Sequence, residues 1–465
     1  MTFNRPTFFL LLAALFLSAC ATPDVRRPIS DLSPTEVINA LGLSGSDWGY
    51  HVIDANTGSE IASYQSDIPQ PPASTAKLPT MIASLSILGA GFRFETSLLT
   101  NGAIVGDTLN GDLVLRGTGD PLLRTNDLRD LAARLHDQGV REITGNFAYD
   151  STLPTFSMIE ADQPQTAPYN QGISGLNVDF NRARLTQELT ASGHIQSYLT
   201  PVEATGLTPS VDGFPPRHVT DVPINRPDVL VARLFRKFAA FEGIHLPEPI
   251  AYQPGPALKL IANIHSLPLH EITRVGLEYS NNMVSEVIGL SASSALQFAP
   301  TSLSQSSKRL TMWLDQNLMK DTRFAPFLVN HSGLSVASRI SPKYMTNLLR
   351  YALNQRFNGH RFDQLLPPGG GREGYRGRFR APDTAFRIWG KTGSMRYIKG
   401  LAGYIDPNSG RRLAFAIFTN DLPRRNQLGH ARNMDDKATR ADASAWRNRA
   451  EDFESEMIRR WISNH

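Results

Sequence analysis

The chain has 465 residues, of which 41% are hydrophobic and 19% are charged, a composition that supports a sizeable core and argues against global disorder. Its length allows two to four domains. A formal net charge of +4 is too small to indicate a nucleic-acid partner. The single cysteine excludes an intramolecular disulfide and a zinc site built from cysteines.

The first predicted element is an export signal. Residues 8–17 are almost wholly apolar, follow one positive charge, and are too short to span a bilayer in a mature protein. We therefore predict a signal peptide over 1–19. The next residues, Leu17-Ser18-Ala19-Cys20, resemble the bacterial lipobox, which implies an acylated Cys20, a tether over 20–32 and, because Ala21 follows, an outer-membrane anchor. A plain signal peptide with a chance cysteine is the alternative, and both export the protein.

Hydrophobic periodicity and turn residues predict the elements that follow. One predicted helix begins near Ser33-Pro34, and the others cover 78–88, 128–139, 229–241, 283–296 and 440–462. The predicted strands include 48–53, 60–64, 143–149, 401–405 and 412–419. We predict an α+β fold in which an antiparallel sheet is flanked by helices. One domain would comprise 33–93 and 263–465, interrupted by a mainly β insertion over 94–262. Within the insertion, 94–150 and 198–262 would form a second domain and 151–197 a small subdomain.

The stretch Ala73-Ser74-Thr75-Ala76-Lys77 opens the helix predicted over 78–88. Residues three apart on a helix face the same way, so the Lys77 amine is expected beside the Ser74 hydroxyl. A serine hydroxyl becomes a good nucleophile only when a nearby base takes its proton, and a lysine can be that base only if its pKa falls. An exposed serine near a helix start remains the alternative for this motif taken alone.

Two more short motifs follow in the chain. Ser280-Asn281-Asn282 precedes a predicted helix, where Ser280 and Asn282 would otherwise be helix-capping residues. Lys391-Thr392-Gly393 lies on a strand-like segment. Taken alone, Lys391 could equally be a solvated residue of that strand. Its preceding Gly390 suggests a phosphate-binding loop, but that motif requires a glycine where this chain has Ala385.

The order Ser-x-x-Lys, Ser-x-Asn, Lys-Thr-Gly resembles the signature set of penicillin-binding proteins and serine β-lactamases. The roughly two hundred residues between the first two motifs resemble the D-alanyl-D-alanine carboxypeptidase/endopeptidase family typified by penicillin-binding protein 4. Further segments resemble the family in order, namely 117–121, 145–146, 176–179, 332–335 and 391–394. The resemblance implies a β-lactamase/transpeptidase-like domain that carries the insertion.

The resemblance also implies catalytic roles. Ser74 would attack the carbonyl between two D-alanines, and Lys77 would take its proton. Ser280 would relay that proton to the leaving amine, and Asn282 would hold the substrate amide and Lys77. Lys391 would supply a second positive charge that lowers the pKa of Lys77 and attracts the terminal carboxylate.

The predicted substrate-binding residues are Thr392, Gly393, Ser394 and Asp150. Thr392 would hydrogen-bond the terminal carboxylate, and the backbone N–H groups of Ser74 and Ser394 would form an oxyanion hole. Asp150 resembles an aspartate that meets the free amine of a diaminopimelate side chain, although a turn-forming aspartate fits its position equally well. Basic residues outnumber acidic ones around the third motif, which suits either an anionic peptide or a solvated loop; they are Arg372, Arg376, Arg378, Arg380, Arg387, Lys391, Arg396 and Lys399.

These features predict a serine hydrolase of peptidoglycan stem peptides, covalently inhibited by β-lactams, with no metal, cofactor or nucleic-acid partner and with the membrane reached only through the lipid. No His-Glu-x-x-His pattern occurs. The alternatives are a β-lactamase or esterase on the same fold and a non-catalytic peptidoglycan-binding lipoprotein.

Overall fold

The computed structural model describes residues 28–211, 214, 218–319, 325–371, 375, 377–428 and 437–465. The predicted signal peptide, Cys20 and most of the tether lie outside the described residues. Within the described ranges, no helix combines the length and the apolar character needed to cross a bilayer.

The described residues form the strands β1 to β16 and the helices α1 to α10, each numbered in chain order. The strands are β1 (Asp47–Asp54), β2 (Glu60–Tyr64), β3 (Glu95–Thr100), β4 (Ala103–Val105), β5 (Thr108–Asn110), β6 (Leu113–Gly117), β7 (Glu142–Ile143), β8 (Phe147–Ser151), β9 (Arg182–Leu189), β10 (Ile195–Thr200), β11 (Val219–Pro223), β12 (Ile250–Ala251), β13 (Lys259–His265), β14 (Ile388–Met395), β15 (Ile398–Ile405) and β16 (Leu413–Asn420). The helices are α1 (Pro34–Ala40), α2 (Lys77–Leu88), α3 (Thr125–Asp137), α4 (Pro227–Phe241), α5 (Leu269–Glu278), α6 (Asn282–Ala295), α7 (Leu303–Leu314), α8 (Pro342–Leu353), α9 (Leu422–Gln427) and α10 (Lys437–Asn464).

A five-stranded antiparallel sheet of order β14-β15-β16-β1-β2 forms the centre of the fold. Its strands come from both ends of the chain, because β1 pairs with β16 from Asp47 opposite Asn420 to Asp54 opposite Leu413. Helices cover both faces of this sheet. The predicted α+β class, with an antiparallel sheet flanked by helices, is confirmed.

Strand β16 is buried along its whole length because its two faces serve different cores. Side chains alternate between the faces of a strand. Ala414, Ala416 and Phe418 pack with α2 and α5 to α8, whereas Leu413, Phe415 and Ile417 pack with α1 and α10. The helical layer that contains α2 and α6 is the one that carries the first two motifs.

Between α2 and α5 the chain forms further sheets of orders β12-β8-β6-β3-β13, β10-β9-β11 and β4-β5-β7. Helices α3 and α4 pack on them around their own core. The predicted boundaries after residues 197 and 262 fall inside β10 and β13, and the division into domains stays a prediction. The irregular segment 152–178 leaves this region and packs Leu153, Ile159 and Ile173 against α6.

Candidate active site

Ser74 lies in a 3₁₀ turn, Ala73–Ala76, immediately before α2. Residues three apart eclipse one another in a 3₁₀ turn, and the Lys77 Nζ lies 2.9 Å from the Ser74 Oγ. Ala73 has a φ of 45°, a conformation that side chains rarely adopt, so the backbone is strained beside the serine. A proline in the interior of an α-helix removes a backbone hydrogen bond and kinks the helix. Because the α-helix begins at Lys77, Pro79 falls in its first turn, where a missing N–H is tolerated.

The Lys77 amine has three hydrogen-bond partners and no solvent exposure. It donates to the Asn282 Oδ1 at 2.8 Å and to the Ser332 carbonyl at 2.9 Å, in addition to its contact with Ser74. The amide oxygen and the carbonyl can only accept hydrogen bonds. A neutral amine would therefore direct its two hydrogens to these oxygens and its lone pair to the Ser74 hydroxyl, which is the arrangement that a general base needs.

Burial lowers the pKa of Lys77 to about 7, against the opposing charge of Glu286. Glu286 is itself fully buried, and burial raises its pKa to about 7. Its carboxylate accepts the backbone N–H groups of His331 and Ser332 at 3.0 and 2.8 Å, and thereby holds the loop whose carbonyl meets Lys77. Sequence reasoning missed Glu286. Its position four residues after Asn282, on the same face of α6, was the available signal.

The three residues of the second motif make different contacts. Asn281 caps α6 by accepting the Val284 N–H, so neither Ser280 nor Asn282 is the cap. The Asn282 side chain instead joins Lys77 to the Tyr169 carbonyl, to which it donates at 3.0 Å. Ser280 has a φ of 54° and faces the same cleft as Ser74.

Strand β14 brings the third motif against the nucleophile turn. A Cβ on Gly393 would lie 2.6 Å from the Pro72 carbonyl oxygen and 3.0 Å from the Ser74 nitrogen, so only glycine permits this approach. Gly333, with a φ of 75°, meets the Ala73 carbonyl on the other side in the same way. The residue after Gly393, Ser394, lines the cleft beside Ser74.

Lys391 lies on this strand, is buried, and donates to the Thr392 carbonyl at 2.8 Å. Burial and the charges of Lys77 and Lys399 hold the pKa of Lys391 well below its ordinary value. We expected Lys391 to lower the pKa of Lys77. Burial is the main cause of the lowered pKa of Lys77, and the positive charges of Lys77 and Lys391 also repel each other.

The cleft beside Ser74 has a volume of about 280 Å³. Its lining residues are Ser74, Gln163, Pro164, Tyr169, Ser280, Asn282, Gly333, Leu334, Ser394, Met395, Arg396 and Arg425. Segment 152–178 thus supplies part of the wall, which sequence reasoning missed. Thr392 is half-buried next to Gly393.

Asp150 is not among the residues that line this cleft. It lies on β8 opposite Arg116 of β6, whose Nε is 2.6 Å from its Oδ2. The predicted contact of Asp150 with a substrate ammonium remains a prediction, and Arg116 would compete for the same carboxylate. Of the predicted basic surroundings, Arg372 and Arg376 lie outside the described residues. Arg378 is engaged by Glu454 at 2.6 Å.

The pKa of Lys77 predicts the pH dependence of acylation. A base must be unprotonated to act, so activity requires pH values above its pKa. With a pKa of about 7, the rate constant for acylation by a penicillin should rise about tenfold per unit between about pH 5 and 7 and level off above. Stopped-flow or labelling rates across this range would measure it. A flat profile, or a midpoint near the ordinary value for lysine, would contradict this assignment.

Lys399, which the sequence placed only among the basic residues around the third motif, contacts a residue of the cleft. Its buried Nζ donates to the Ser394 Oγ at 2.9 Å and to Glu451 of α10 at 2.7 Å. It therefore ties the C-terminal helix to a serine that lines the cleft.

Replacement of Lys399 by Met should leave Glu451 without its cation and cost on the order of 2–3 kcal/mol of stability, less than for a fully buried pair because Glu451 reaches solvent. The double variant Lys399→Met, Glu451→Gln should regain most of this loss in thermal denaturation. Both variants should keep a raised KM, because the Ser394 hydroxyl has lost its donor. Recovery of KM together with stability would show that Lys399 acts on the fold alone.

Comparison with known proteins agrees with this geometry. The chain is 26% identical over 422 residues to the D-alanyl-D-alanine carboxypeptidase DacB of Haemophilus influenzae, covering 81% of this chain and 86% of that protein. It is 26% identical over 436 residues to the D-alanyl-D-alanine carboxypeptidase of Actinomadura sp. strain R39, covering 83% and 79%.

Solved structures show the same fold. The crystal structure of penicillin-binding protein 4 from H. influenzae matches with a TM-score of 0.75 at 22% identity, over 92% of this chain and 99% of that one. The same protein has also been solved in complex with a β-lactam. A predatory endopeptidase from Bdellovibrio bacteriovorus matches with a TM-score of 0.51 at 16% identity, over 89% and 92%.

The model of the D-Ala-D-Ala carboxypeptidase 3 (S13) family matches residues 35–208 and 210–441, which is most of the chain. The family resemblance drawn from the three motifs is thereby confirmed: the chain belongs to the S13 family of D-Ala-D-Ala carboxypeptidases.

Proposed function

We propose that the protein is a serine D-alanyl-D-alanine carboxypeptidase that removes the terminal D-Ala of peptidoglycan stem peptides, and that it also cleaves D,D-cross-links. The observation that carries the proposal is the buried Lys77 amine, held by two obligate acceptors with its third direction aimed at the Ser74 Oγ. The family membership supplies the substrate class.

The proposed reaction uses these groups in sequence. The Ser74 Oγ attacks the penultimate D-Ala carbonyl while its proton passes to the Lys77 Nζ. The oxyanion that forms is stabilised by the backbone N–H groups of Ser74 and Ser394, where one such donor is typically worth about 10²–10³ in rate. The proton then passes through Ser280 to the leaving amine, D-Ala departs, and water hydrolyses the acyl-enzyme.

The substrate carboxylate would be bound at the third motif. Thr392 would donate a hydrogen bond to it, and the Ser394 hydroxyl, held by Lys399, would do so from the neighbouring position. Lys391, buried on the same strand, would contribute positive charge. Gly393 would contribute only its small size, which brings the strand to Ser74.

The experiment combines two measurements on the wild-type protein. Mass spectrometry after exposure to a penicillin should show one covalent adduct, which peptide mapping localises to Ser74, and a D-Ala-D-Ala peptide should release free D-Ala. A protein that binds muropeptides reversibly, forms no adduct and releases no D-Ala would be the non-catalytic binder.

A β-lactamase is the second candidate, and the lining of the cleft argues against it. No Asp or Glu of the described residues lines the cleft, and Glu286 is directed to the backbone of residues 331 and 332 instead. A carboxylate that activates the deacylating water is therefore not evident. We expect the penicilloyl adduct to persist; its rapid loss with turnover of the antibiotic would favour the β-lactamase.

We further propose that the protein is exported to the periplasm and anchored in the outer membrane by lipid on Cys20. The apolar segment 8–17 and the sequence Leu17-Ser18-Ala19-Cys20 support this proposal. The mass of the mature N-terminal peptide tests it, because a diacylated cysteine and an unmodified one differ by the mass of the lipid.

A further inference from the structure

The loop that carries Ser332 is held in place by bonds to its backbone. The Ser332 carbonyl accepts the Lys77 amine at 2.9 Å, and the Glu286 carboxylate accepts two N–H groups of the same loop. The Thr80 hydroxyl of α2 donates to the His331 carbonyl at 3.0 Å. The position of this loop therefore sets one of the two acceptors that orient the general base.

The side chain of His331 is fully buried and lies against α6. A Cβ on Gly289 of α6 would lie 2.3 Å from both the Cγ and the Nδ1 of the imidazole ring. Any side chain at Gly289 would therefore displace the ring. Glycine weakens a helix relative to alanine, because it loses more freedom on folding. The room that Gly289 leaves for the ring explains its presence inside α6.

The other ring nitrogen of His331 begins a chain of buried hydroxyl groups. Its Nε2 lies 2.8 Å from the Ser306 Oγ of α7, which in turn lies 2.6 Å from the Ser293 Oγ of α6. Ser293 donates to the Leu290 carbonyl at 2.9 Å, so the Ser306 hydroxyl donates to Ser293 and accepts the Nε2–H of the ring. The chain thus assigns the Nε2–H tautomer and fixes the ring to both helices.

The Nδ1 atom of His331 has no hydrogen-bond partner among the described residues. Burial lowers the pKa of the ring to about 3, so the imidazole is neutral in the folded protein near neutral pH. An aliphatic side chain of similar size would fill this space without leaving a polar atom unpaired. Packing alone therefore does not favour the imidazole, whereas its directed bond to Ser306 holds the loop at a defined distance from Lys77.

We propose that His331 is a positioning residue for the general base, because its ring fixes the Ser332 carbonyl against the Lys77 amine. The ring contacts α6 and bonds to α7, so these two helices set the place of the carbonyl. A neutral amine that keeps its hydrogens on fixed acceptors also keeps its lone pair on the Ser74 hydroxyl. The inference rests on the proposed function, since it concerns the step in which Lys77 takes the proton of Ser74.

The test is Ser306→Ala, which removes the bond to the ring and leaves the catalytic side chains unchanged. A loosened carbonyl lets the amine turn away from Ser74, so the rate constant for acylation by a penicillin at high pH should fall about tenfold, the scale of one hydrogen bond. The carbonyl also stabilises the protonated amine, so its withdrawal should move the midpoint of the pH profile below the wild-type value. The charged groups of the described residues that act on Lys77 are Glu286 and Lys391, and both are retained.

Ser307→Ala is the matched control. Ser307 is the next residue of α7 and is also buried, but its hydroxyl donates to the Leu328 carbonyl at 2.6 Å instead of meeting the ring of His331. Both variants should lower the temperature of thermal denaturation by similar amounts, whereas only Ser306→Ala should change the rate and the midpoint of acylation. An unchanged profile in Ser306→Ala, or a midpoint that moves to higher pH, would assign His331 to the fold and overturn the positioning role.

Replacements of His331 itself separate its bond from its bulk. His331→Leu fills the space without a donor and should acylate as slowly as Ser306→Ala. His331→Gln carries an amide donor of similar reach and should recover most of the rate. Gly289→Ala should slow acylation when the ring is present and have no such effect in the His331→Ala background. Equal rates for His331→Leu and His331→Gln, or an effect of Gly289→Ala that persists without the ring, would contradict the proposal.

The outcomes also separate this inference from the proposed function. A wild-type protein that forms the penicilloyl adduct, together with a Ser306→Ala variant that acylates like it at every pH, refutes the positioning role and leaves the carboxypeptidase in place. A wild-type protein that forms no adduct and releases no D-Ala refutes the carboxypeptidase, and the role of His331 with it.

Discussion

Replacement of Ser74 by Ala should abolish the penicilloyl adduct and reduce D-Ala release by about 10⁴–10⁶-fold, the loss typical of a removed nucleophile. The hydroxyl lies 2.9 Å from the Lys77 Nζ, lines the cleft, and belongs to the 3₁₀ turn before α2. Labelled penicillin followed by gel electrophoresis measures the first effect, and a D-Ala assay measures the second.

Ser86→Ala is a suitable control for this prediction. Ser86 lies on the same helix, α2, but its hydroxyl donates to the Ile82 carbonyl, and Ser86 is not among the residues that line the cleft. This variant should be labelled like the wild type. Labelling that survives in Ser74→Ala would mean that another residue is the nucleophile.

Replacement of Lys77 by Met should reduce the rate of acylation by about 10²–10⁴-fold, the usual contribution of a general base. Methionine has a similar length and fits a dry pocket, so the fold should persist. In the wild-type protein the charge of Lys77 opposes the effect of burial on Glu286. Its loss should therefore raise the pKa of Glu286 further. Pre-steady-state kinetics measures the fall in the acylation rate, and thermal denaturation checks that the fold persists.

Lys77→Arg separates charge from basicity. Arginine keeps the positive charge but remains protonated at all accessible pH values, so it cannot accept the proton of Ser74. Both variants should therefore be slow, and neither should retain the rise in rate through about pH 7. If Lys77→Met acylates within tenfold of the wild type, the base is another group.

The parts of this structure that depend on local pattern could be predicted from the sequence. The strand pairs at 48–53 with 60–64 and at 401–405 with 412–419 have continuous apolar or alternating patterns, and they occur as β1–β2 and β15–β16. The long C-terminal helix likewise has an amphipathic pattern. The first two motifs predicted which residues meet, because Lys77 is in hydrogen-bond contact with both Ser74 and Asn282.

Other features of the site depend on contacts that no local pattern reveals. The carbonyl groups of Tyr169 and Ser332 meet Asn282 and Lys77 through backbone atoms, which carry no sequence signature. Arg425 follows the last strand of the sheet, and it lines the cleft in a part of the chain where Asp421 bonds to the turn after β14. The partner of Asp150 likewise depends on the register between β6 and β8.

The pairing of β1 with β16 has a consequence for how the enzyme matures. A nascent chain that ends before residue 413 contains Ser74 but lacks β16, the strand that pairs with β1. The hydrophobic side chains on the two faces of the incomplete sheet then remain exposed to solvent. Such distant pairing folds slowly, because a long loop must close before any contact forms. We therefore expect catalytic competence to arise only after almost the whole polypeptide has emerged, which delays hydrolysis of the wall until synthesis is nearly finished.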